Sequence, residues 1–182
     1  FHMHHRWTGW TDEGRLCFAT PHGETVVGAE VTLLALGGAS WPQLGSDGNW
    51  VEYLQARGVP VSALKAANCG FDVVWSRHFA ERHAGAPLKN VRITFRDATG
   101  LAVERTGECL VSMHGLEGSL VYALSAPLRE LIERDGHADV TLDLLPAHDP
   151  AKVMAEATHP RGARSMSSHL AGRLGVSGAR AG

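Results

Sequence analysis

Apolar and polar positions alternate along the first third of the chain in runs short enough to be strands. Phe1 to Trp10 reads as a strand, Thr11-Asp12-Glu13-Gly14 as a turn, and Arg15 to Thr20 as its hairpin partner. After a turn at Pro21 to Glu24, Thr25 to Val27 forms a short third strand. Val31, Leu33, Leu34 and Leu36 then make a continuous apolar run, the pattern of a strand covered on both faces as in a parallel sheet. It leads into "GGASWPQLGSDG", a stretch with little side chain. Asn49 to Ala56 follows with Trp50, Val51, Tyr53 and Leu54 at helical spacing and Gly58 as a stop. From about Val59 the pattern changes. "CGFDVVW", "NVRITFR", "LAVER", "ECLVSM" and "DVTLDLL" are short alternating segments, which argue a small antiparallel sheet or barrel. One helix interrupts them, with Leu120, Leu124, Leu128, Leu131 and Ile132 on one face, Gly136 as its end, and a kink or late start at Pro127. Asp149 before Pro150 caps a short helix to about Ala157, and Ser165 caps a second that Gly175 closes.

Composition narrows the class. The 182 residues are 44% hydrophobic and 20% charged, ordinary for a globular chain of one good domain or two small ones. A net charge of -2 gives no electrostatic reason to expect nucleic acid or an anionic membrane. No apolar stretch approaches the roughly 20 residues of a bilayer helix, and the polar, histidine-rich opening is unlike a signal peptide. Cys17, Cys69 and Cys109 are odd in number and far apart, so they read as reduced small hydrophobes in a cytoplasmic protein. The chain opens inside a strand and closes on "GVSGARAG" without a final element, which reads as a piece of a longer protein.

Several residues invite chemistry. A double glycine after a buried strand lets a ligand lie on bare backbone, and "GSDG" at Gly45 to Gly48 suits a helix start with unpaired N–H groups; the alternative is a tight strand–helix turn with no ligand. His2 and His4 share one face of the first strand. An H-x-H pair can bind metal, but further ligands are needed, so a solvated polar face is the preferred reading and no metal site is assigned. Ser40 lacks a nucleophile elbow and no cysteine has a partner in sequence, which leaves the catalytic residues unassigned. His114 in "MHGLEG" is an acid near a cofactor or a loop residue, with the loop preferred; Arg161 and Arg164 are read as exposed rather than as contacts to an anionic substrate.

The stretch "LLALGGASWPQLGSDG" resembles the "ATGG-x-S-Y-P-x-T-G-S-T-G" segment of the BaiN/YhiN-type FAD-dependent oxidoreductases of bacteria, also labelled the aminoacetone oxidase family. "ANCGFDV", "APLKNVRITF", "GECLVSMHGLEGSLVYALS" and "LDLLP" continue that resemblance in the family's order, from about Val31 to Pro146. The fold it implies is α+β and α/β: the end of a Rossmann-like FAD domain (1–64), an inserted antiparallel β-barrel (65–147), and the start of a helical insert (148–182). Gly37, Gly38, Ala39, Ser40 and Trp41 would run along FAD, and Gly45, Ser46 and Gly48 would match a Gly-Ser-Thr-Gly helix start near the flavin ring. Asp47 replaces a Thr of that motif, Asn49-Trp50 replaces Asp-Gly, and "SMHG" stands where many relatives have "THYG". No G-x-G-x-x-G occurs here, so the pyrophosphate turn is expected upstream and FAD is not expected to be retained by this piece alone. The resemblance implies a flavin-dependent oxidoreductase, NAD(P)H-linked and acting on a small organic substrate, with the piece by itself inactive. The alternative is a non-catalytic β-rich structural or interaction module. Neither reading sets the oligomeric state.

Overall fold

The computed structural model describes residues 1–182, which divide into two units, Phe1–Lys65 and Ala66–Gly182. In the first, β1 (Arg6–Trp10), β2 (Leu16–Thr20) and β3 (Gly23–Val27) form an antiparallel sheet in sequence order. Trp7 and Trp10, three apart, would lie on opposite faces of a regular strand. A bulge between Trp7 and Gly9 inserts one residue and brings both rings together, 4.6 Å apart and edge to face. Tyr53 of α1 (Trp50–Ala56) meets Trp7 at 5.2 Å, also edge to face, and the Arg57 guanidinium lies 5.4 Å above the Trp10 ring. Gly9 is buried beneath Tyr53, where a Cβ would come to 3.7 Å of the ring. This aromatic cluster holds the unit together, and no apolar side chain in it is fully buried.

Two expectations for this unit need correction. Val31 to Leu36 is not a strand: the segment is irregular and unpaired, with Val31 87% and Leu33 90% exposed. A strand exists by pairing, and no segment of these residues lies hydrogen-bonded beside it. The first strand begins at Arg6, not Phe1; a turn with His4 at φ 59° precedes it, so His2 and His4 do not share a strand face.

The second unit is a five-stranded antiparallel sheet with helices against it, which makes the chain α+β. Its strands are β4 (Phe71–Asp72), β5 (Pro87–Arg96), β6 (Ala102–Val111), β7 (Gly115–Glu117) and β8 (Thr141–Asp143), in spatial order β4-β7-β6-β5-β8. The long hairpin β5–β6 turns at Asp97, whose carboxylate accepts from the Thr99 amide at 2.8 Å, the Thr99 hydroxyl at 2.7 Å and the Leu101 amide at 3.0 Å. The Thr99 hydroxyl, then the backbone N–H groups, hold that carboxyl below its usual range. A bulge between Leu88 and Val91 keeps Leu88 on the inner face with Val91, Ile93 and Phe95. These meet Cys109 and Val111 of β6, Leu116 of β7, and the apolar faces of α3 (Ser119–Tyr122) and α4 (Ser125–Asp135).

The helix expected around Leu120 to Ile132 is therefore two. Pro127 falls in the first turn of α4, where its missing N–H costs no hydrogen bond. The short α2 (Arg77–His83) is capped by Ser76, whose hydroxyl accepts from the Phe79 amide at 3.2 Å. α5 (Pro150–Thr158) and α6 (Met166–Leu174) start at the expected caps, Asp149 and Ser165. They are joined by the Arg173–Glu156 ion pair at 3.1 Å and by the buried His169, whose Nε2 lies 3.2 Å from the Ala157 carbonyl.

Candidate functional site

The glycine loop of the first unit is built around a small closed turn. Pro42–Leu44 forms one turn of 3-10 helix, ended by Gly45 at φ 86°. The backbones of Trp41 and Ser46 then pair, with Trp41 N–H donating to Ser46 at 3.2 Å and Ser46 N–H to Trp41 at 3.1 Å. This folds Gly37 and Gly38 back toward Ser46, whose hydroxyl would lie 3.7 and 3.9 Å from a Cβ at those two positions. Ala39 is brought against Gly48, where a Cβ would come to 2.7 Å of the Ala39 methyl and the backbone stands at φ +74°. Gly37, Gly38, Ala39, Ser40 and Trp41 are all exposed. The structure thus brings Gly37, Gly38, Ala39, Trp41, Ser46 and Gly48 into one loop, with Gly45 at its turn and the exposed Ser40 between Ala39 and Trp41.

The helix after this loop starts later than expected. α1 begins at Trp50, and Asn49 precedes it without a side-chain cap. Asp47 is not free beside a helix terminus. Its carboxylate accepts from Arg6 at 2.6 Å and from the Asn49 amide at 3.1 Å and side chain at 3.0 Å. The Asn49 backbone N–H, then the Arg6 charge, hold the Asp47 carboxyl below its ordinary value.

Beside the loop is a recess of about 220 Å³ that sequence reasoning missed, lined by Arg6, Trp7, Leu36, Asp47, Trp50 and Tyr53 among others. The indole N–H groups of Trp7 and Trp50 are shielded from solvent and have no acceptor. Nothing local flags this recess, because its walls come from segments some 40 positions apart that only the fold brings together.

These features can be tested against FAD. The open backbone at Gly37 and Gly38 lets a flat group approach closely, and two unpaired N–H donors suit a cofactor rich in acceptors. The recess is below the roughly 300–1,000 Å³ of an enclosing small-molecule site, so it fits one edge of a dinucleotide. The residues present fit FAD as one wall of a larger site.

The other candidates lie elsewhere. His114 is exposed, and its carbonyl accepts from Val73 N–H at 2.8 Å within the turn closed by Ser112 N–H to Gly115 at 2.8 Å. Arg161 is exposed and donates to the Arg164 carbonyl at 3.0 Å, closing its own loop. No helix is long and apolar enough to cross a membrane.

The second unit is thus an antiparallel sheet packed on short helices, followed by the paired α5 and α6. Residues 65–181 match the family described as HI0933-like protein barrel and H2TH domain, and the chain belongs to that family. The family is flavoprotein-associated, of the HI0933/BaiN type of FAD-dependent oxidoreductases. No curated protein sequence matches the chain.

Proposed function

We propose that this chain is part of a BaiN/YhiN-type FAD-dependent oxidoreductase, NAD(P)H-linked and acting on a small organic substrate. The observation that supports this reading is membership of a flavoprotein-associated family over residues 65–181. Bound flavin supplies the two-electron chemistry, while protein groups orient it and exclude competing reactions. In this proposal Gly37, Gly38, Ala39, Ser40 and Trp41 lie along one edge of the cofactor, and Gly45, Ser46 and Gly48 hold the return strand of the loop against it. Trp7 and Trp50 donate their indole N–H groups to acceptors that enter the neighbouring recess. Arg6 neutralises Asp47, so that no unpaired carboxylate stands beside an electron-rich ring.

Gly38 gives a clean test. Its φ lies outside the left-handed region, and the nearest atom to an added Cβ is the Ser46 hydroxyl at 3.9 Å, so the loop itself tolerates a side chain. In the parent protein, Gly38→Val is expected to expel FAD while leaving the far-ultraviolet circular dichroism and melting of the polypeptide unchanged. Flavin absorbance at wild-type stoichiometry in a soluble Gly38→Val protein would remove this loop from the cofactor site. A parent protein that never carries flavin would favour the alternative, a β-rich structural module.

A further inference from the structure

We propose that the cavity between β4 and the segment leading into β8 in the second unit is a binding site for an uncharged, largely apolar small molecule. The sheet runs β4-β7-β6-β5-β8, and its two outer strands do not pair with each other. Between β4 and the segment from Gly136 to Val140 that leads into β8 opens a cavity of about 500 Å³, walled by Phe71, Ile93, Leu116, Val121, Leu128 and Ile132. That volume lies within the usual range for small-ligand pockets. The cavity reaches the hydrophobic core itself, since Ile93 and Val121 are 2% exposed and Leu128 is 5% exposed.

The chemistry of the walls selects the occupant. The only titratable residues lining the cavity are Asp72 and His137, both exposed and therefore at its rim. His137 is engaged there already, 3.7 Å from the Asp139 carboxylate and with its ring 3.2 Å from the Asp135 carbonyl. Water in the depths meets apolar side chains and gains few hydrogen bonds, and a charged group would be desolvated there without a partner. A neutral hydrocarbon-rich body fits the depths, with any polar group left at the rim beside Asp72 and His137.

The cavity is also held open by construction. Ser125 at the start of α4 is fully buried, and its hydroxyl accepts from Cys69 N–H and lies within hydrogen-bond distance of the Cys69 carbonyl, both at 3.1 Å. This ties the helix wall to the segment entering β4. Gly70 lies so close to β7 that a Cβ would sit 2.9 Å from the Leu116 carbonyl, which fixes the opposite wall. At the mouth, Gly136 adds no side chain, and the space where one would stand is empty.

N-phenyl-1-naphthylamine, an uncharged fluorescent probe, titrated into the 182-residue chain tests this inference. It is expected to bind saturably at one per chain and to shift the methyl resonances of Ile93, Val121, Leu128 and Ile132. Ala138 is half-buried on the cavity wall, and Ala138→Trp, which intrudes into it, is expected to weaken binding at least tenfold. Arg82→Ala, in a different cavity, is the control and should leave affinity unchanged. Absence of saturable binding, methyl shifts confined to other residues, or unchanged affinity in a folded Ala138→Trp chain would overturn the proposal. Should Ala138→Trp fail to fold, the wild-type methyl shifts decide alone.

Discussion

Burial governs the cysteines one by one. Cys109 is 1% exposed within the core, and burial, followed by the neighbouring Glu108 charge, pushes its thiol up to about 11. Cys17 and Cys69 are only half-buried. A thiol reagent at pH 8 is therefore expected to label Cys17 and Cys69 in the native chain and Cys109 only after denaturation; native labelling of all three at similar rates would contradict this. The same shift sets a pH dependence. The folded state keeps the Cys109 proton longer than an unfolded chain does, so this contribution to stability is complete below pH 9.0 and is lost as pH rises through about 11. Urea melts between pH 8 and 11 follow the loss, and Cys109→Ala should flatten it. The candidate site was legible at this scale only where the signal is local. The glycine loop announces itself by missing side chains, whereas the Arg6–Asp47 ion pair and the Trp7–Tyr53 contact join positions that no nearby pattern links.

Single polar contacts decide how elements dock. Ser125 is buried with its hydroxyl on the backbone of Cys69, and removing it leaves the part-buried Cys69 amide without that acceptor. Such a loss costs about 1–3 kcal/mol, and a unit of this size shifts by roughly 4 °C per kcal/mol. Ser125→Ala is expected to lower the melting temperature by several degrees, while Ser167→Ala on an exposed helix surface should not; equal melting of the two variants would show the contact to be idle. Element boundaries were legible where they depend on neighbours in sequence. The caps at Asp149 and Ser165 and the stops at Gly136 and Gly175 are chemistry within one turn. Long-range packing defeated the rest. "LAVER" and "ECLVSM" read as two strands because Gly107 separates them, yet β6 runs unbroken through it. A Cβ at Gly107 would come to 3.3 Å of Leu120, so this glycine makes room for α3 and does not end a strand. Val31 to Leu36 erred the other way, since an apolar run states what a segment can pair with and not whether its partner is at hand.

The two units differ in how they are held. The second keeps a core that runs from Phe71 to Ala179 and lies wholly within its own boundaries. The first depends on an aromatic cluster and leaves Val31, Leu33, Trp41 and Leu44 more than half exposed. Residues 66–182 expressed alone are expected to melt cooperatively, at the temperature of the corresponding transition in the 182-residue chain. A non-cooperative melt, or one displaced by more than a few degrees, would show that the core is completed from outside. The hairpin at the centre of this unit also sets a calendar. β5 and β6 meet across a turn of a few residues fastened by Asp97, whereas β4 must wait for β7, more than forty positions away. Contacts that close short loops form early, so the hairpin belongs to the nucleus and the two outer strands arrive last. Asp97→Ala should then slow refolding, and Leu142→Ala on β8 should chiefly hasten unfolding, each read from the arms of a chevron plot. The sheet's last-formed edges would thus also be the first to open.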